Sequence, residues 1–237
     1  MAGLAVGCSK DDKDDNNSNV PENANQAPVF KGAAGLNWAW KTTFDNEFGG
    51  LEQSQAFAVY TNNNGQSYVN VGDVKVNNFK LTNTSNTYFY FPDFTNPDPN
   101  FLEFNGNNVT WEISGGSGFT AFTYLEDRPW PSIGQIILPS ELSRSKPFTV
   151  RISNVSNADS VIFTLEENVS VVVAGNVTSY TFSPAQLTGI KPGEDNAIGV
   201  GVSAYNFESN NQAGKKIYYG KLYSKLSDPL EQVPVVP

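Results

Sequence analysis

The chain has 237 residues, with 15 basic and 24 acidic side chains, one cysteine and no histidine. Without imidazole there is no Ser-His-Asp or Cys-His nucleophile, no His-ligated zinc and no histidine proton shuttle, so an enzyme here would have to use carboxylates, Lys or Tyr. A net charge of −9 with no basic cluster beyond Lys215-Lys216 argues against nucleic-acid partners.

The amino terminus reads Met1-Ala-Gly-Leu-Ala-Val-Gly7, then Cys8, then Ser9-Lys10-Asp11-Asp12-Lys13-Asp14-Asp15. A lone cysteine is usually a small buried side chain. Here the aspartates that follow cannot enter a core with it. Leu4-Ala5-Val6-Gly7-Cys8 resembles the lipobox of bacterial lipoproteins, which implies that Cys8 is the lipid attachment site. The acidic run after it resembles the export signal of surface-exposed lipoproteins of Bacteroidetes, which implies an outer-membrane, cell-surface location. The apolar run is shorter than a signal-peptide core and lacks a basic start, so the true start is expected upstream of Met1. No stretch of 18 apolar residues exists, which makes lipid the expected membrane anchor.

Residues 9–28 are almost devoid of apolar side chains and read as a disordered tether. From Val29 onward, short alternating runs are separated by Gly, Asn, Pro and Ser, which predicts an all-β fold. Leu51 to Ala58 alone hints at helical spacing, and it is short and glycine-flanked. Phe57 and Val59 alternate, as do Val69 and Val71. Val74 to Leu81 reads as two strands around an Asn77-Asn78 turn. Thr87-Tyr88-Phe89-Tyr90-Phe91 places aromatics on both faces, so it is a central strand covered twice or one face offered to a partner. Val109, Trp111 and Ile113 form the cleanest one-sided strand.

A boundary is expected at Pro139, giving a first β-rich domain over 29–139 and a sandwich over 140–228, with 1–8 as signal remnant and 229–237 as a tail. In the second part Phe148, Val150 and Ile152 alternate, then Val161, Phe163 and Leu165, Val169, Val171 and Val173, Tyr180 and Phe182, Ile198 to Ala204, and Ile217 to Tyr223. That rhythm fits an immunoglobulin-like sandwich. Leu187-Thr188-Gly189-Ile190-Lys191-Pro192-Gly193 and Ile198 to Asn206 resemble the E–F corner and F strand of fibronectin type III domains. Asn196 and Ala197 stand where that family has its corner tyrosine, so a broader Ig-like relative fits equally.

Carboxylates could serve glycosidase chemistry only as a pair about 5–9.5 Å apart. Glu103, Glu112 and Glu126-Asp127 lie near aromatics, and nothing in the sequence pairs them. Asp93, Asn96 and Asp98 place oxygen ligands in a proline-stiffened loop, a weak candidate for a hard cation without the glycine and terminal glutamate of an EF-hand. Asx-Pro turns explain the same residues without a metal. Asp159-Ser160-Val161 resembles a short O-glycosylation site of exported Bacteroidetes proteins.

Aromatics make up 13% of the chain and include Trp38, Trp40, Trp111 and Trp130. Trp111 fits the core. Trp38 and Trp40 share a face of one strand, and Trp130 is held between Pro129 and Pro131 beside Tyr124 and Arg128. Such indoles stack on the apolar faces of sugar rings while neighbouring polar groups bond hydroxyls. Trp38, Trp40, Tyr124, Arg128 and Trp130 are therefore the ligand-binding candidates, for a polysaccharide, with no cofactor. The layout resembles starch-utilisation outer-membrane lipoproteins, which implies a non-catalytic glycan-binding module. An adhesion or assembly subunit meeting outer-membrane proteins is the alternative, and a carboxylate hydrolase a distant third.

Overall fold

A computed structural model describes residues 30, 32–44, 51–62, 67–92, 101–166, 169–190, 197–226 and 233–236. Cys8, the tether and Asp93, Asn96 and Asp98 lie outside the described residues. The chain is all-β. In the first half the strands are β1 (Ala33–Phe44), β2 (Leu51–Asn62), β3 (Ser67–Tyr68), β4 (Val74–Val76), β5 (Phe79–Lys80), β6 (Thr82–Thr84), β7 (Thr87–Tyr90), β8 (Val109–Ile113), β9 (Phe122–Glu126), β10 (Ser132–Ile133) and β11 (Ile136–Ile137). The second half adds β12 (Leu142–Ser143), β13 (Phe148–Ile152), β14 (Val155–Ser156), β15 (Ser160–Leu165), β16 (Val169–Ala174), β17 (Ser179–Phe182), β18 (Ala197–Ile198), β19 (Val200–Gln212), β20 (Lys215–Leu226) and β21 (Val233–Val236), with one short helix, α1 (Pro184–Leu187).

Strand register follows the side-chain alternation. In β8 and β15 every second residue is buried, Val109, Trp111 and Ile113 in one and Val161, Phe163 and Leu165 in the other. Two-residue turns fold the hairpins, and their residues hold positive φ: 47° and 66° at Asn77 and Asn78, 52° and 65° at Ser85 and Asn86, 51° and 79° at Ala213 and Gly214. Left-handed pairs of this kind match the twist of the strands they join. Leu51 to Ala58 is strand, not helix, because Ser54, Ala56, Ala58 and Tyr60 alternate inward along the β1 partner.

One large sheet dominates, in the order β16-β15-β19-β20-β1-β2-β7-β6 with β3 beside β2. Its centre is a parallel pairing of β1 with β20, flanked on each side by antiparallel hairpins. Under one end lies the β5-β4-β8-β9 sheet, closing a core of Val71, Val76, Val109, Trp111, Tyr60 and Tyr88 with Ile217 and Tyr219. Under the other end lie β11-β13-β17 and β12-β21-β18, closing a core around Phe148, Val150, Phe163, Phe182 and Val202.

Pairing crosses the expected 139/140 boundary. β10 pairs with β14 and β11 with β13, so residues on both sides of Pro139 share sheets. Val233 to Val236, expected as part of a tail, is strand β21 between β12 and β18, and Val233 and Val235 are buried there. The molecule has two cores built on one shared sheet.

Candidate functional site

The long central strands present two faces of different chemistry. Ile217, Tyr219, Lys221 and Tyr223 of β20 point between the sheets, and Tyr218, Gly220, Leu222 and Ser224 point to the other face. Among the described residues outside the strands, Phe30 packs onto the middle of that second face and Phe91 lies beside Phe89 toward its edge.

On it, Phe207, Gly220, Trp38, Phe57 and Phe89 fall in one cross-strand row over β19, β20, β1, β2 and β7. The next row holds Tyr205, Leu222, Trp40 and Gln55, and the next Ser203, Ser224, Thr42 and Gln53. Both indoles lie down across β20. The Trp38 ring covers Gly220, and the Trp40 Nε1–H donates to Ser224 Oγ at 3.0 Å. Small residues in β20 are what let the rings lie flat. Within the paired strands this face carries a single charged side chain, Lys216, whose Nζ sits 4.8 Å over the Tyr218 ring.

Trp38 and Trp40 thus share a face, as the strand reading predicts. Trp38 is only 6% exposed, with Phe30 edge-on to it at 6.2 Å and Tyr205 at 5.9 Å. The rings left accessible on this face are Trp40, Phe57 and Phe89, which stay half-buried, and Phe91, 52% exposed and 5.7 Å from Phe89.

Tyr124, Arg128 and Trp130 lie on the opposite, inter-sheet side. The Tyr124 ring stacks on Tyr219 at 3.9 Å, and its hydroxyl donates to Glu208 Oε1 at 2.9 Å. Burial first, then the Glu208 carboxylate, push that phenol far above its usual range. Arg128 forks onto Asp159 at 3.0 and 2.9 Å and donates to the Phe207 carbonyl at 2.8 Å, so its donors serve the fold. Trp130, a ligand-binding candidate in the sequence, packs at 5.3 Å on Phe104, with Lys41 Nζ 5.2 Å from its ring and its N–H buried. The stiff Pro-Trp-Pro loop turns the indole into the inter-sheet space. The five candidates therefore do not form one site.

No protein-family model, curated protein or solved structure matches the chain.

Two shallow clefts flank Asp73, of about 480 and 360 Å³. Lys80 pairs with Asp73 at 2.8 Å in the first, and Lys75 approaches Glu112 at 4.0 Å in the second. Glu112 thus lies on the polar side of β8, opposite Trp111, with its charge matched by lysine. Among the described residues no group of three acidic or cysteine side chains could hold a metal.

Phe57, Phe89, Phe207, Gln53 and Gln55 escape a reading of single strands. Their alternation is visible, but their meeting depends on which strands are neighbours, above all on β1 pairing with β20.

Proposed function

We propose that the protein is a lipid-anchored outer-membrane protein, exposed on the cell surface, that binds a glycan without catalysing a reaction on it, and that the open face of the large sheet is its contact surface. The observation that carries this reading is the chemistry of that face: half-buried rings interleaved with Gln53, Gln55, Thr87, Ser203 and Thr42, and almost no charge. In a protein of net charge −9, a neutral aromatic and amide surface suits neutral sugars, whose C–H faces stack on rings while hydroxyls meet amides. Acyl chains on Cys8, each CH2 worth about 0.8 kcal/mol in the bilayer, would hold the module at the membrane.

Affinity gels containing neutral or acidic polysaccharides test the face. The wild-type protein should be retarded by a neutral polysaccharide, and Phe57→Ala with Phe89→Ala should abolish retardation while the protein stays folded. Retardation unchanged in that variant, or none in any gel with wild-type protein, overturns the reading. Cys8→Ser should move the protein to the soluble fraction of its native cells; retention in the membrane overturns lipidation.

A second reading rests on Phe91 and Phe101, 52% and 57% exposed, which favour a protein partner and an adhesion or assembly role. Concentration-dependent mass in light scattering, lost in Phe91→Ser with Phe101→Ser, would support it; a monomer that co-purifies with no envelope protein would sink it.

A further inference from the structure

The inter-sheet side of the large sheet carries ionisable groups where the two cores meet. Lys221 of β20 and Asn206 of β19 are cross-strand partners, placed between Tyr219 of the first core and Tyr223, which packs on the second. Lys221 is fully buried, and its ammonium donates to the carbonyls of Arg128 at 2.6 Å, Asn107 at 2.7 Å and Glu126 at 3.1 Å. All three N–H bonds go to backbone.

Glu126, the last residue of β9, is the cross-strand partner of Val109 in β8 and is fully buried beside this ammonium. Neither carboxylate oxygen has a hydrogen-bond partner among the described residues. The Trp111 indole N–H faces the carboxylate without reaching hydrogen-bond geometry, and the buried Tyr219 hydroxyl and Trp130 N–H are unpaired as well. A carboxylate in such a place keeps the attraction of Lys221 but gains no bond in exchange for its lost hydration.

We propose that Glu126 is a proton-binding latch, and that its protonation state sets the strength of the seam between the two cores. The groups facing it come from every neighbouring element: Lys221 and Tyr219 of β20, Glu208 of β19, Trp111 of β8, Tyr124 of β9, and Asp127 and Arg128 just beyond it. Lys221 and Arg128 draw the carboxyl toward ionisation and Glu208 opposes them. Burial, with Glu208 acting in the same direction, outweighs the two cations and pushes the Glu126 carboxyl up to about 7, while burial pushes the Lys221 ammonium down.

The folded state therefore keeps the Glu126 proton to a higher pH than the unfolded chain does. Its contribution to stability is fully present below the ordinary carboxylate range and is lost as pH rises through about 7. This is the reverse of the usual paired carboxylate. Proton release leaves an unsolvated charge between the sheets, so the seam weakens where most proteins are at their most stable.

Urea unfolding of the full chain at pH 5.5 and 8 tests the latch, with Glu126→Gln as an uncharged match in shape. From pH 5.5 to 8 the wild-type unfolding constant should rise roughly thirtyfold more than that of the variant. Equal pH dependence in the two proteins overturns the proposal. Should Glu126→Gln not fold, carboxyl carbon NMR of the wild-type protein decides: one glutamate titrating near neutrality supports the latch, and all carboxyls titrating below pH 5.5 overturn it.

Discussion

The indole of Trp38 lies on the backbone of Gly220 so closely that a Cβ there would come within 2.4 Å of Cζ3 and 2.5 Å of Cε3. Gly220 is thus needed for the absence of its side chain, at the centre of the parallel β1–β20 pairing. Gly220→Ala should force the ring to move and cost about 1–3 kcal/mol in denaturant unfolding. The same change in a Trp38→Ala background should cost clearly less. Additive effects would mean that the ring is not what the methyl meets.

Trp130 should behave as a packing residue. Its contacts with Phe104, Lys41 and Lys221 predict that Trp130→Ala lowers stability by about 3 kcal/mol. Any loss of polysaccharide retardation should then track the unfolded fraction, as measured by circular dichroism at the gel temperature. Loss of retardation with an unchanged melting temperature would restore Trp130 to the binding surface.

Asp159 ties the loop after β9 to β19. Burial raises its carboxyl, but the Arg128 fork and the Phe207 N–H, at 2.9 Å, outweigh this and hold it below the usual carboxylate range. A depressed pKa contributes stability above the unfolded value, which is lost as pH falls through the folded one. Asp159→Asn should therefore cost about 1–2 kcal/mol at pH 7, after discounting for its partial exposure. In acid strong enough to protonate Asp159 in the folded protein the two should unfold alike; a gap that persists there would contradict the ion pair.

The Asn77-Asn78 turn should tolerate only residues at ease with positive φ. Asn78→Gly should change stability by no more than about 0.5 kcal/mol, while Asn78→Val should destabilise by about 1–2 kcal/mol. Thermal melts of the two variants check this, and equal melting temperatures would refute the turn geometry. Asn77 has a further duty, because its Oδ1 accepts the Thr110 N–H at 2.8 Å.

Strands with clean alternation were legible. Val109 to Ile113, Phe148 to Ile152, Val161 to Leu165 and the Asn77-Asn78 hairpin all stand where the pattern of side chains puts them. Parity also places Lys221 in line with Ile217 and Tyr219, and Glu126 in line with Phe122 and Tyr124, so both buried charges were written in the alternation. What parity cannot supply is the partner strand. Nothing local tells Trp38 that Gly220 lies beside it, or tells Trp130 that Lys221 will fill the space beneath. The boundary at Pro139 was placed by local punctuation, and the pairings that cross it are long-range.

The parallel seam also sets an order of events. β1 is synthesised long before β20, so both its neighbours are present only once residue 226 has been made. Until then β1 can pair with β2, and β2 with β3 and β7, but the other edge of β1 stays unpaired and the row of rings around Trp38 has no floor. Folding of the shared sheet is thus a late, whole-chain event with a large loop to close, slow by comparison with a meander of local hairpins. A ribosome stalled before β20, or a protease acting on the emerging chain, would meet an open edge at β1.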